Sequence, residues 1–133
     1  MTGPESPAYI VIVEDSLLVA DALRILFAEY GYRVALAPSV AAAVEACMVD
    51  QVDVLLLDIT LPDGDGLEVL SRLDACGSPR PRRTIALTGH GDEANLKKCI
   101  EAGCERVLLK PVSIRELLRL VRRDATTNEL EAG

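Results

Sequence analysis

Short apolar runs alternate with stretches of helical periodicity along nearly the whole chain. Tyr9 to Val13 is a strand-length run, and a helix is predicted from about Ser16 to Tyr30. On that helix Val19, Ala22, Leu23 and Leu26 share one face, while Asp21, Arg24 and Ala28 share the other. Gly31 stands where a left-handed C-terminal cap belongs. Tyr32 to Ala37 reads as a second strand, and Ser39 is placed to cap an Ala-rich helix over Val40 to Val49. Val52 to Leu57 is almost unbroken in its apolar character, as a central strand buried on both faces should be, and it runs directly into Asp58. After a Leu61-Pro-Asp-Gly-Asp-Gly66 loop, Leu67, Leu70 and Leu73 mark a third helix. Thr84 to Leu87 is a fourth strand, and Asp92 to Ala102 a fourth helix ended by Gly103. Arg106 to Leu109 is the fifth strand, and the Ser113-Ile-Arg-Glu116 capping box opens a last helix running to about Arg123.

Five βα units in succession predict an α/β fold, a flavodoxin-like doubly wound five-stranded parallel sheet of order 2-1-3-4-5 with five helices. A ligand site in such a sheet lies at the carboxyl ends of the strands, near the point where the strand order reverses. Residues 1–7 read as a disordered leader, 8–124 as one domain and 125–133 as a short polar tail. A chain of 133 residues has room for one core, burying roughly 65–70% of the surface its unfolded form exposes. The leader lacks the basic and apolar regions of a signal peptide, and no apolar stretch approaches the ~18 residues of a membrane span. A cytoplasmic protein without membrane insertion is expected.

Composition narrows the partners. The formal net charge is −7, and a surface of that sign repels phosphate backbones, so no direct nucleic-acid binding is expected. Arg80, Arg82 and Arg83, interrupted by Pro81, read as a solvated loop. Cys47, Cys76, Cys99 and Cys104 form no C-x-x-C pair and have no His at ligand spacing, so they read as four reduced, packing thiols.

The chemistry stands at the ends of the apolar runs: Glu14 and Asp15, then Asp58, Thr88 and Lys110. In a parallel sheet these ends share an edge. Two carboxylates ~4 Å apart repel by about 4 kcal/mol at an effective dielectric near 20, and a divalent cation removes the conflict. Oxygen-only ligands with room for water and phosphate oxygens suit Mg²⁺. Taken alone, Glu14 and Asp15 read equally well as a strand end and a helix cap; the neighbouring strand ending in Asp58 shifts the balance. Asp58 is the candidate nucleophile for an aspartyl-phosphate, Lys110 the cation that neutralises phosphoryl oxygens, and Thr88 a hydroxyl donor to another. Pro111 keeps the Lys110 backbone extended, and Gly89 leaves space for a mobile loop.

The Glu14-Asp15 pair, Asp58 followed by Leu61-Pro62-x-x-Asp65-Gly66, Thr88-Gly89 and Lys110-Pro111 together resemble the receiver domain of two-component response regulators over residues 8 to 123. The resemblance implies that Asp58 takes phosphate from a phosphohistidine and that Mg²⁺ is held by Asp15, Asp58 and the backbone carbonyl of Thr60, with Glu14 acting through a metal-bound water. It further implies that Lys110 pairs with the phosphoryl oxygens and that Thr88 moves toward them. Such a domain is no enzyme beyond its own phosphorylation and dephosphorylation. A sensor histidine kinase or histidine phosphotransfer protein would supply the phosphate, a downstream protein target would receive the signal, and the chain would be a monomer or weak dimer. The segments Ala86-Leu-Thr-Gly-His-Gly91 and Leu109-Lys-Pro-Val112 look more like those of hybrid-kinase receivers and stand-alone phosphorelay regulators than like those of receivers fused to DNA-binding domains.

One position departs from the pattern. Receivers generally carry Tyr or Phe three residues before the lysine, where this chain has Val107. That motivates an alternative, a receiver that binds its partner irrespective of phosphate. His90 reads as a neighbour of the site rather than a second phosphoacceptor. A haloacid-dehalogenase-type phosphatase needs an acid two residues after the nucleophile, where Thr60 stands, and the Glu14-Asp15-Ser16 turn is unlike a flavin-phosphate loop. Arg115, Arg119 and Arg122, with Lys97 and Lys98, form either a basic face for an acidic partner or a solvated stripe.

Overall fold

In the computed structural model residues 8–89 and 91–122 are described; the expectations for the 1–7 leader, His90 and the 125–133 tail lie outside them. In chain order the elements are β1 (Tyr9–Val13), α1 (Leu17–Glu29), β2 (Arg33–Ala37), α2 (Val40–Val49) and β3 (Val54–Asp58). A short hairpin follows, β4 (Thr60–Leu61) and β5 (Gly64–Asp65), then α3 (Glu68–Ala75), β6 (Arg83–Thr88), α4 (Glu93–Glu101), β7 (Arg106–Leu109) and α5 (Ile114–Val121). The five long strands form one parallel sheet of order β2-β1-β3-β6-β7, the predicted doubly wound arrangement.

Each strand's alternation divides the core into two layers. Val11, Val13, Leu55 and Leu57 pack with α2 and α3 on one face, while Ile10, Ile12, Leu56 and Ile85 pack with Leu23 and Phe27 of α1 and Leu117 of α5 on the other. Burial of every residue in β1 and β3 explains why those stretches read as continuous apolar runs. The register then fixes the site: Val13 lies opposite Leu57, and Asp58 opposite Leu87, so β1, β3 and β6 end at one level.

Four expectations are corrected. The buried stripe of α1 is Ala20, Leu23 and Phe27; of the predicted face Leu23 is buried and Leu26 partly so, while Val19 and Ala22 are exposed. Phe27 sets the rotation: its ring is fully buried and meets Tyr32 edge-on at 5.6 Å, whereas Leu17, Leu18 and Ile25 are as apolar and stay exposed. The arginine run is a solvated loop at Arg80 and Arg82, which stay exposed while pairing with Asp74 and Asp53, but not at Arg83, which begins β6, is partly buried and pairs with Glu105. Cys47, Cys99 and Cys104 are buried, but Cys76 is exposed. Lys98 is no free member of a basic face, since it pairs with Asp65. Among the described residues no helix is long and apolar enough to cross a membrane.

Candidate functional site

Glu14 directly follows β1 and Asp58 is the last residue of β3, so two neighbouring strands deliver carboxylates to one spot. Both are buried, whereas Asp15 is exposed at the mouth. One carboxylate oxygen from each of Glu14, Asp15 and Asp58 lies within 4.8 Å of the others. Asp58 is held from two sides: the Thr60 amide donates to Oδ1 at 3.0 Å and the Lys110 ammonium to Oδ2 at 2.6 Å. Glu14 accepts from the Ser16 amide at 3.1 Å, and its other oxygen is 3.4 Å from Lys110 Nζ.

Lys110 arrives from β7, its amide donating to the Thr88 carbonyl at 2.8 Å, and the peptide to Pro111 is cis. Burial works against its charge, but hydrogen bonding to Asp58 and the charges of Asp58 and Glu14 outweigh it, so its pKa lies above that of an ordinary lysine. Three carboxylates against one ammonium leave an excess of negative charge, presented entirely through hard oxygen atoms. That donor set fits a small divalent cation that keeps part of its water shell. Thr88 ends β6 with its side chain buried, and its hydroxyl oxygen accepts from Asn95 Nδ2 at 3.0 Å.

The segment after Asp58, read from the sequence as a loop carrying part of the motif, is secured by contacts that the sequence does not announce. Asp63 caps α2 from outside that helix, accepting from the Val40 amide at 2.8 Å and the Ala41 amide at 3.2 Å. The Val40 bond is the main reason its carboxyl lies below the usual range. Asp65 accepts from the Leu67 amide at 2.8 Å and pairs with Lys98 of α4. A Cβ on Gly66 would sit 2.1 Å from the Asp58 carbonyl oxygen, and the Gly66 amide donates to Ile59 at 2.7 Å, so only glycine permits this approach. The Asp-Gly-Asp-Gly string signals a turn, but nothing in it names α2 and α4 as the partners.

The sequence-predicted Glu14, Asp15, Asp58 and Lys110 are therefore brought together, and Thr60 touches Asp58 through its amide. Val107 is partly buried and packs against the core layer that includes Cys99 and Cys104. A groove of about 520 Å³ adjoins the cluster, lined by Glu14, Val19, Leu23, Lys110, Val112 and Leu117.

A family model described as the response regulator receiver domain matches residues 10–122. The chain is 34% identical over 119 residues to the TorCAD operon transcriptional regulatory protein TorR of Escherichia coli, an overlap covering 87% of this chain and 49% of TorR. It spans about half the length of the curated relatives it matches. Among solved structures it is similar to a CheY-like receiver domain protein from Methanospirillum hungatei, with a TM-score of 0.79, 26% identity and coverage of 95% and 99% of the two chains. It is also similar to the receiver domain of a Pseudomonas aeruginosa sensor histidine kinase, solved with magnesium coordinated in its active-site cleft. That TM-score is 0.76 at 29% identity, covering 89% of this chain and 97% of the other.

Proposed function

Because the chain belongs to the response-regulator receiver-domain family, we propose that Asp58 accepts a phosphoryl group from a phosphohistidine and that the change is passed on through protein contacts. The observation that carries this reading is the setting of Asp58: buried, aligned by the Thr60 amide, and 2.6 Å from an ammonium inside a carboxylate cluster. A carboxylate oxygen of Asp58 attacks phosphorus in line. The phosphorus–nitrogen bond breaks with its electron pair returning to the ring-protonated donor, so imidazole leaves neutral. Lys110 then pairs with a phosphoryl oxygen in place of the carboxylate it now holds, and Thr88 donates to another.

Glu14, Asp15, Asp58 and the Thr60 carbonyl are the residues that would hold Mg²⁺, which when bound neutralises charge on the transferring group. The magnesium-bound receiver of the Pseudomonas kinase supports this choice of ion. The upstream partner is a sensor histidine kinase or histidine phosphotransfer protein, the downstream one a protein target. The functional unit is the receiver over residues 8–124.

The test is intact-mass and peptide analysis after incubation with Mg²⁺ and acetyl phosphate. Labelling confined to the peptide carrying Asp58 is expected; no labelling at that position with either acetyl phosphate or a histidine donor sinks the reading. Val107 alone motivates the alternative of a receiver that binds its partner regardless of phosphate, and the family match and the assembled acid cluster do not favour it. Partner affinity unchanged by beryllofluoride, with Asp58 competent, would select it.

A further inference from the structure

Helices α1, α3 and α4 end in the same kind of turn. In α4 the Cys104 amide donates to the Cys99 carbonyl at 3.1 Å and the Gly103 amide to the Ile100 carbonyl at 3.0 Å, with Gly103 at φ +109°. Such a pair of bonds around a left-handed glycine sets the third residue before the cap beside the second residue after it. At the end of α1 these are Phe27 and Tyr32: the Tyr32 amide donates to the Phe27 carbonyl at 3.1 Å, and the two rings meet edge-on at 5.6 Å. At the end of α3 they are Leu73 and Ser78. In α4 they are two thiols.

Both thiols are buried in one core layer. Burial is the main reason the Cys104 thiol is pushed up to about 12, and a charge on Cys99 would push it the same way. The turn that carries them is held from outside as well, since Arg80 donates from Nη1 to the Ala102 carbonyl at 2.8 Å and packs against Gly103, where a Cβ would stand 2.5 Å from that nitrogen. The other two cysteines have no place in such a turn. Cys47 lies within α2, and Cys76 is the cap residue of α3, exposed, with Met48 Sδ 4.0 Å from its sulfur.

We propose that Cys99 and Cys104 are a redox-active dithiol, a modification site that a low-molecular-weight disulfide of the glutathione type converts to an intrachain disulfide. Access comes with opening of α4, in which Cys99 is the one buried side chain, at lower cost than opening a helix that buries three. Exposure also removes the burial that keeps the Cys99 thiol protonated. The Cys99 thiolate attacks one sulfur of the reagent, a new sulfur–sulfur bond forms, the reagent's own breaks, and the first small thiolate leaves and takes up a proton. Cys104, set beside it as the turn re-forms, gives up its proton and attacks the Cys99 sulfur, expelling the second small thiol. Two protein thiols are oxidised and one small disulfide is reduced to two thiols. Because the second step is intramolecular, the mixed disulfide on Cys99 does not accumulate. The product ties the last turn of α4 to the segment leading into β7 and uses no residue of the acid centre.

Incubation of the full chain with oxidised glutathione in native buffer, followed by acid quench, alkylation and peptide mass analysis, tests this. Expected is a linked Cys99–Cys104 species lacking two hydrogens and closed to alkylation until dithiothreitol is added, while Cys76 keeps its glutathione. In Cys104→Ser the resolving thiol is gone, so Cys99 should retain glutathione as a mixed disulfide; Cys76→Ser should leave the linkage as in wild type. Wild type in which Cys99 and Cys104 each carry glutathione overturns the proposal. So does wild type in which both stay free while Cys76 is fully modified, in which either is linked to Cys47 or Cys76, or in which the linkage forms only after unfolding in urea. The wild-type outcome decides whether or not the serine variants fold.

Discussion

At the centre of the sheet Glu14 and Asp58 terminate strands in which every residue is buried, whereas at the β7 edge the burial is broken and the adjacent α4 hides only Cys99. The acid centre is positioned by strand register and by contacts reaching both core layers, so its geometry persists as long as the domain is folded. The α4 edge, with one buried side chain, leans instead on pairings such as Lys98–Asp65 and Asn95–Thr88. A phosphoacceptor needs the first kind of construction, because attack requires alignment before reaction.

Asp58→Asn attacks the centre most directly. It should abolish labelling by acetyl phosphate and weaken Mg²⁺ binding, as read by mass spectrometry and calorimetry. In metal-free buffer it should also raise the melting temperature by a few degrees, since about 1 kcal/mol of stability corresponds to roughly 2–8 °C in domains of comparable size. An unchanged or lower value in EDTA would mean that the Lys110 pairing already offsets the carboxylate repulsion.

Gly66→Ala tests whether the centre is rigid. With a methyl group forced to 2.1 Å from the Asp58 carbonyl oxygen, backbone must move, costing about 1–3 kcal/mol and slowing phosphorylation. Denaturant unfolding at wild-type stability would show that the hairpin yields freely and that the contrast with α4 is overstated.

A smaller effect is expected from pH. The Lys110 pKa is raised in the folded state, so its contribution is fully present below the unfolded lysine value of about 10.4 and is lost as pH rises through the folded one. Wild type should therefore lose stability between pH 10 and 11 faster than Lys110→Met in parallel urea titrations. Parallel curves would remove the ammonium from the list of groups that hold the centre together. Opposite in sign, Asp63 has a lowered pKa, so its cap on α2 is present above the unfolded value near 3.9 and fades as the solution is acidified below it.

Thiol reactivity is the mildest probe. Burial pushes Cys47 up to about 11 and Cys104 to about 12, and raises Cys99. At pH 8 an aromatic disulfide should modify Cys76 promptly and the other three only as the structure opens, Cys99 first because it is the one buried side chain of α4. Cys99 reacting no faster than Cys47 would argue that α4 is held as firmly as α2.

Strand order and the residues of the acid centre were legible before any coordinates because both follow from local pattern. Apolar runs of strand length have to be buried, parallel strands joined by helices wind in one way, and a polar residue ending such a run has only the sheet edge to occupy. Glu14, Asp58, Thr88 and Lys110 were found on that basis. The stripe that α1 buries was legible only at Leu23, because Leu17, Leu18 and Ile25 are as apolar, and only the space left beside Tyr32 selects Phe27.

The bonds that tie loops to distant helices depended wholly on the fold. Asp63 to the Val40 amide at the start of α2, Asp65 to Lys98 and Asn95 to Thr88 join groups separated by 23, 33 and 7 positions. A surface carboxylate or amide is locally indistinguishable from any other until packing brings a donor within about 3 Å. Periodicity thus determined the scaffold and the chemistry at its strand ends, since burial acts on each segment separately. Three-dimensional proximity alone decided which charged and polar side chains meet, and with them how α4 is held.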